Sequence, residues 1–204
     1  MEIKGWKVTE LRQLYDEQGR PLVGKGATKY EVLEDVLLHG ASHIWIWRVR
    51  NDEVEILQQK RGAEKATWPN LYAQSAAGHI DLGEDPIAAA IRETKEEIGL
   101  TISAEDLQIA GIDRCCLPVE DTGWFENEIC WLYTLRLDEE QDFVLAEGEV
   151  GTLRWRSVAD ISADIHDPVE YQKYLPIGQT YYYVIFNSIA RQRASAVNKG
   201  NTNA

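Results

Sequence analysis

Positive charge is scarce in this chain: lysine and arginine total 21 residues, aspartate and glutamate total 34, and the formal net charge is −13. Proteins that bind nucleic-acid polymers or anionic membranes do so through clustered lysine and arginine side chains. We therefore expect neither a nucleic-acid polymer nor a membrane as a partner. A small phosphate-bearing molecule is not excluded, because a metal ion can supply the missing positive charge.

Long apolar runs are also missing. No run approaches the roughly 20 residues that a helix needs to cross a bilayer, and residues 1–11 lack the apolar stretch of a signal peptide. Cysteine is rare and odd in number, with Cys115, Cys116 and Cys130 at spacings that do not suit a metal site. Such usage is typical of reduced thiols, so we expect a cytoplasmic protein.

What is present suits an ordinary globular chain, with 204 residues of which 44% are hydrophobic. We predict one domain over residues 1–193, followed by a flexible polar tail at 194–204. Local patterns predict an α/β fold in which helices flank a mixed sheet. The predicted strands are 7–15, 21–28, 43–49, 53–59, 107–117, 125–137 and 150–156. The predicted helices are 86–98, 157–165 and most of 168–191, residues 60–75 are predicted as a loop, and 30–38 stays open between helix and loop.

Residues 78–100 hold the most informative local pattern. Asp85 is a good N-cap, Pro86 suits the first helical position, and Gly99 suits the left-handed residue that ends many helices. The pattern predicts a helix over 86–98. Its apolar face is formed by Ile87, Ile91, Thr94 and Ile98.

Three glutamates of this helix, Glu93, Glu96 and Glu97, are predicted to lie away from that face and close to one another. Each like-charge pair costs about 0.2–0.5 kcal/mol, and the helix dipole disfavours negative charge near the C-terminus. A hard divalent cation with oxygen ligands would offset both costs. The alternative is a solvated acidic helix with Arg92 and Lys95 as partial counter-ions.

The spacing of this stretch reads G-x5-E-x7-R-E-x-x-E-E-x-G from Gly78 to Gly99. It resembles the Nudix box of the Nudix hydrolase superfamily, here residues 78–100, with Thr94 as a mild departure at a usually aliphatic position. The resemblance implies an α/β/α sandwich with a mixed sheet. It also implies an enzyme that uses Mg²⁺ or Mn²⁺ to cleave a nucleoside diphosphate, a nucleoside triphosphate or another organic diphosphate.

The same resemblance implies roles for individual residues. Glu84 is expected to brace the loop before the helix by pairing with Arg92. The metal ligands that it implies are Glu93, Glu96, Glu97, Glu126 and the backbone carbonyl of Ala77 or Gly78. The expected partner is a small-molecule diphosphate, and the oligomeric state stays open, with a homodimer among the alternatives.

A second resemblance spans residues 10–165, where LHGASHIWIW, WPNLYAQSAAGH and FENEIC are similar to the isopentenyl-diphosphate isomerase branch of the superfamily. Enzymes of that branch move a proton with a cysteine and a glutamate, and bind metal with three histidines and a Glu-x-Glu pair. Ala77 stands at the position of the cysteine. Two of the histidines have counterparts, His39 and His79, whereas the third position is Val32. An isomerase is therefore the alternative function, and a binding module without turnover is a third.

The Glu-x-Glu pair is present as Glu126 and Glu128, which point to the same side if they lie in a strand. The general base stays open among Glu93, Glu126, Glu128 and, in a more distant segment, Glu149.

Two cations, Arg61 and Lys65, lie in the loop that supplies charge to the diphosphate in the isomerase branch. We predict that they bind substrate, and the alternative is a solvated basic turn. His43 and His166 have no partner that the sequence identifies, so both are interpreted as structural.

Overall fold

The computed structural model describes residues 10–119 and 122–201, so residues 7–9 of the first predicted strand lie outside the described residues. In these ranges the strands are β1 Arg12–Tyr15, β2 Pro21–Ala27, β3 His39–Arg50, β4 Glu53–Arg61, β5 Tyr72–Ala73, β6 Ala76–His79, β7 Leu107–Val119, β8 Trp124–Arg136 and β9 Val150–Ser157. The helices are α1 Lys29–Glu34, α2 Pro86–Ile98, α3 Val158–His166 and α4 Gln179–Asn201.

The central strand is β3, which is buried from His39 to Arg48. It pairs in parallel with β8 along one edge, and along the other edge it pairs antiparallel with β6 and then with β4. Pairing of β7 with β8, of β5 and β9 with β4, and of β1 with β3 extends the sheet. The sheet is therefore mixed, as the sequence predicts.

Helices cover both faces of β3. Since successive side chains of a strand point to opposite faces of the sheet, neighbouring residues of β3 lie in different cores. Trp45 and Trp47 lie in the core that includes residues of α4, whereas Ile44 and Ile46 lie in the core that includes residues of α2. This is the layering of an α/β/α sandwich.

The N-terminal half of β3 carries polar side chains on the face of Trp45. His39, Ala41 and His43 alternate along it, and the last two line a cavity of about 680 Å³. Residues of β6, β8 and α2 contribute other walls of this cavity.

Helix α2 has the bounds that the sequence predicts, because its signals are local. The side chain of Asp85 accepts a hydrogen bond from the backbone N–H of Ile87 (2.9 Å), and Gly99 ends the helix with φ of 74°. Glu97, which the sequence places away from the apolar face, is nevertheless buried, as is Thr94.

Three other segments differ from the sequence analysis. The open stretch 30–38 contains α1, whose first turn is closed by reciprocal bonds between Thr28 and Glu31. The predicted loop 60–75 contains β5, which pairs with the end of β4. Helix α4 continues from 194 to Asn201, where the sequence predicts a flexible tail. The domain bounds 1–193 stay a prediction, and no helix in the described ranges is suited in length and apolarity to span a bilayer.

Candidate active site

The short strand β6 divides the site into two sides. The backbone N–H of Ala77 donates to Glu97 Oε2 (3.0 Å), and the carbonyl of His79 accepts from Arg92 (2.9 Å). Both groups therefore lie on the edge of β6 that faces away from β3. Since the N–H and C=O of one strand residue point to the same edge, the carbonyl of Ala77 also faces the glutamates of α2.

On the α2 side, two glutamates are packed against the strand rather than exposed. Glu97 is 6% exposed and also accepts a hydrogen bond from Gln59 (2.9 Å), and its burial raises its pKa. Glu93 lies directly over Gly78, where a Cβ would overlap its carboxylate. Burial, with help from the charges of Glu97 and Glu96 and against that of Arg92, raises the pKa of Glu93 to about 7.

Arg92 connects the loop to the helix. Its Nε and one terminal nitrogen donate to the two oxygens of Glu84 (2.9 and 2.8 Å), and its other terminal nitrogen donates to Glu93 (2.6 Å) and Glu96 (3.2 Å). Glu84 in turn accepts from the backbone N–H of Asp81 (3.0 Å). A bidentate pair of this kind fixes geometry as well as charge, so the loop before α2 is held rigidly against it.

On the other side of β6, four potential ligands converge. One ligand atom from each lies within 4.8 Å of the others, and the group consists of His39, His79, Glu126 and Glu128. The parallel register puts His39 opposite Glu128, and β6 brings in His79 opposite Ala41. In the part of the chain that the structure describes, this group does not include the three glutamates of α2. Glu126 thus lies with the histidines, as in the Glu-x-Glu pair of the second resemblance, and it lines the same cavity as the glutamates of α2.

The chemistry of this histidine–glutamate group suits a divalent cation. His39 Nδ1 lies 2.9 Å from the carbonyl oxygen of Leu37, which can only accept, so Nδ1 carries the proton and Nε2 offers a lone pair. That Nε2 lies 3.5 Å from Glu126 and 3.7 Å from Glu128. Metal-bound histidines are oriented in this way by their second nitrogen.

Two further observations support the fit. Glu126 Oε2 is buried and has no hydrogen-bond partner among the described residues. Burial, aided by Arg12, lowers the pKa of His79 well below its usual value, so that its ring is neutral at neutral pH. An unsatisfied carboxylate oxygen and a neutral imidazole are what a cation needs from its ligands.

Two cations of this cavity could not be identified from the sequence: Arg12, which is buried, and Lys29, which is partly buried. Arg12 donates to His39 Nε2 (3.3 Å) and lies 3.9 Å from Glu126. Lys29 also lines the cavity, and burial, aided by the charge of Arg12, lowers its pKa to about 8. No local pattern identifies either residue. Arg12 reaches the site through the pairing of β1 with β3, and Lys29 reaches it through the packing of α1.

The two cations predicted from the sequence both line the cavity and both have protein partners. Arg61 donates to the carbonyl oxygens of Trp68 (3.0 Å) and Thr67 (2.8 Å), so it supports the loop after β4. Lys65 forms an ion pair with Glu149. The carboxylate of Glu149, one of the candidate general bases, is therefore already paired with a cation.

Comparison with known proteins agrees with this architecture. The family model described as NUDIX domain matches residues 41–176. An isopentenyl-diphosphate Delta-isomerase from Corynebacterium diphtheriae is 35% identical over 165 residues, covering 77% of this chain and 84% of the relative. An uncharacterized Nudix hydrolase from Clostridium acetobutylicum is 36% identical over 142 residues, covering 69% of this chain and 66% of the relative.

Among solved structures, the MutT protein from Methanosarcina mazei Go1 has a similar fold. The TM-score is 0.55 at 15% sequence identity, and the match covers 76% of this chain and 95% of the other. A likeness at that identity concerns the fold alone, and it confirms the predicted α/β/α sandwich.

Proposed function

This chain belongs to the NUDIX domain family, and from that premise we propose that it hydrolyses a small organic diphosphate with the help of a divalent cation. The observation that carries the proposal is the meeting of two carboxylate sets in one cavity, the glutamates of α2 on one side of β6 and the histidine–glutamate group on the other. Buried carboxylates without enough counter-charge are costly, and a cation removes that cost.

The two sets suit different ions. Glu93, Glu96 and Glu97, with the carbonyl of Ala77, offer only oxygen and suit Mg²⁺. The group of His39, His79, Glu126 and Glu128 offers nitrogen as well and suits an ion that accepts both donors, such as Mn²⁺. A divalent cation at such a site neutralises diphosphate oxygens and makes water more acidic.

Glu93 is the residue best suited to take the proton of the attacking water. Its pKa of about 7 lies near the working pH of a neutral compartment, which is the condition for efficient general-base catalysis. Glu126 is less suited: burial and the charge of Glu128 would raise its pKa, but the adjacent imidazoles of His39 and His79 lower it below its usual value. Around the diphosphate, Arg61 and Lys65 supply positive charge, and the newly found Arg12 adds to it.

An isomerase is the second candidate, because the histidine–glutamate group corresponds to most of the metal ligands of that branch. Proton transfer to an alkene needs an acid on the face opposite the glutamate, and Ala77 has no proton to give. The nearby thiol does not replace it: Cys130 Sγ lies 3.7 Å from Glu128 Oε2, two residues along the same strand. The acid would thus lie beside the base rather than across from it.

Hydrolysis in ¹⁸O-labelled water separates these functions. A panel of organic diphosphates is incubated with the protein and Mg²⁺ or Mn²⁺, with and without EDTA, and the products are analysed by mass. We expect a phosphate product that carries one ¹⁸O atom and disappears with EDTA. Deuterium uptake from D₂O into isopentenyl diphosphate, without phosphate release, would instead identify an isomerase, and no turnover at all would identify a binding module.

The proposal includes a small-molecule partner and a cytoplasmic location. Cys115, Cys116 and Cys130 are free thiols, as expected for a reducing compartment.

A further inference from the structure

Two histidines of β3 share one face but have opposite hydrogen-bonding roles. His39 donates from Nδ1 to a backbone carbonyl, so its Nε2 offers a lone pair to the histidine–glutamate group. His43 lies four residues further along, which is about 13 Å of strand. No partner of His43 could be identified from the sequence, whereas in the structure its ring contacts a buried tyrosine.

The partners of His43 determine where its proton lies. The hydroxyl oxygen of Tyr181 is 2.7 Å from His43 Nδ1 and 3.1 Å from Trp45 Nε1. Indole and amide N–H groups can only donate, and the Tyr181 oxygen accepts from both Trp45 Nε1 and Gln74 Nε2 (3.3 Å), so its own proton is directed at His43. Gln74 Nε2 lies 2.9 Å from the same Nδ1. Two donors converge on Nδ1, so Nδ1 accepts and Nε2 carries the hydrogen.

This leaves a single donor of His43 for the cavity. Within the described ranges, Nε2 has no hydrogen-bond partner, whereas Nδ1 has the partners given above. A ring nitrogen of His43 comes within 4.8 Å of Glu128 and Cys130, so the ring adjoins the proposed cation site. An Nε2 that carries hydrogen cannot bind a cation, and its chemistry fits an acceptor atom of a ligand instead.

Near His43, one part of the cavity wall is formed by small or apolar side chains and another by the carboxylate of Glu128. Ala41 and Ala77 flank it on β3 and β6, and Cys115 and Leu117 line it from β7. A compact, uncharged group suits such a lining better than a second phosphate.

We propose that His43 is a substrate-binding residue that donates its Nε2–H to an acceptor atom on the organic group of the diphosphate, and that this group is compact and uncharged. The inference rests on the proposed function, because it requires a ligand whose diphosphate binds in the same cavity. Tyr181 and Gln74 are positioning residues that hold the imidazole in the donating form.

The test uses two methylenediphosphonate esters that the protein cannot hydrolyse. The 2-methoxyethyl and butyl esters have the same length and differ by one ether oxygen in place of a methylene group. Isothermal titration calorimetry with the full chain and Mn²⁺ is expected to give about three- to tenfold tighter binding of the methoxyethyl ester, the value of one neutral hydrogen bond. His43→Leu is expected to abolish this preference and to leave Mn²⁺ binding unchanged.

Further variants keep the test decisive if His43→Leu fails to fold. His43→Gln, whose amide can both accept and donate, should retain part of the preference, and Tyr181→Phe should reduce it. The matched control is His166→Leu, because His166 bonds a different tyrosine, Tyr183 (2.8 Å), and does not line the cavity. The preference should be unchanged in that control.

Three results would overturn the inference. In the first, the wild-type protein binds plain methylenediphosphonate but does not prefer the methoxyethyl ester. His43 then donates no hydrogen bond to the ligand, and this inference is wrong while the proposed function stands. A His43→Leu variant that loses Mn²⁺ affinity as His39→Ala does would make His43 a metal ligand. If neither ester nor plain methylenediphosphonate binds, the diphosphate site is wrong and the proposed function falls with it.

Discussion

Glu93 and Glu97 have surroundings that a solvated helix would not give them. Glu97 accepts hydrogen bonds from Ala77 and Gln59 in a buried position, and Glu93 lies against the backbone of Gly78. Packed carboxylates with raised pKa values are typical of functional sites, because stability alone does not select them. At the scale of residues, the acidic helix is therefore better explained by a cation than by solvation.

Replacing Glu97 by glutamine tests its charge separately from its hydrogen bonds. The amide oxygen can still accept from Ala77, so we expect a small change in the free energy of unfolding. The lost negative charge should lower kcat by about 100-fold or more, equivalent to about 2.7 kcal/mol of transition-state stabilisation. Phosphate release and urea denaturation measure the two effects. Glu105→Gln, at an exposed glutamate before β7, is the control, and full activity in Glu97→Gln would contradict its role.

Stability should depend on pH through Glu93. Its folded pKa of about 7 exceeds the ordinary value of 4.5, so between these values the folded chain holds a proton that the unfolded chain has lost. This contribution is full below pH 4.5 and is lost as pH rises through 7, by up to about 3 kcal/mol. Mg²⁺ favours the ionised carboxylate and should reduce the loss.

Urea denaturation in EDTA at pH 5 and pH 8 measures this effect. Other groups titrate in the same range, and His79, with its lowered pKa, has the opposite sign. The relevant quantity is thus the difference between the wild type and Glu93→Gln. Equal pH dependence in the two proteins would show that Glu93 is not buried as described.

At the scale of elements, the site is built by α2 and by the strands that β3 brings together. Helix α2 could be predicted from the sequence, because its cap, its Pro86 and its Gly99 are all local signals. The histidine–glutamate group could not be assembled in this way. It depends on the parallel register of His39 with Glu128 and on the pairing of β6 with β3, and both join residues far apart in the chain.

The contact between β6 and α2 can be tested at Gly78. A methyl group at this position would overlap the carboxylate of Glu93, so Gly78→Ala must displace that side chain. We expect a loss of about 1–3 kcal/mol in the free energy of unfolding and weaker activation by Mg²⁺. The control is Gly111→Ala in β7, where the added Cβ meets only a side chain of Val184 at 3.1 Å.

A double variant identifies the cause. Adding Glu93→Ala to Gly78→Ala removes the overlapping carboxylate, so it should recover most of the lost stability while activity stays low. Equal destabilisation with and without Glu93 would mean that the cost of Gly78→Ala arises elsewhere.

At the scale of the whole molecule, one fold serves two chemistries that differ at a few positions. The chain has the sandwich of its family, and its resemblance to the isomerase branch implies most of that branch's metal ligands, with Ala77 at the position of the cysteine. Val32, at the position of the third histidine, is fully buried in the apolar cluster of α1 with Leu33 and Val119. The fold was therefore predictable from the sequence, whereas the chemistry depends on single side chains that a fold does not determine.

Restoring the thiol alone should not restore the isomerase. We expect Ala77→Cys to incorporate no deuterium from D₂O into isopentenyl diphosphate, because Val32 supplies no third imidazole. Proton NMR of the recovered diphosphate measures the exchange, with an authentic isomerase as the positive control. Measurable exchange by this single variant would contradict the assignment of Val32 as a purely structural residue.

Anomalous diffraction from crystals soaked in Mn²⁺ and methylenediphosphonate tests the central claim most directly, because it locates the cation itself. The account predicts anomalous density in the cavity beside β6, within bonding distance of Glu93 or Glu97 on one side and of Glu126 or Glu128 on the other. A cavity without anomalous density, with these carboxylates facing bulk solvent, would contradict it.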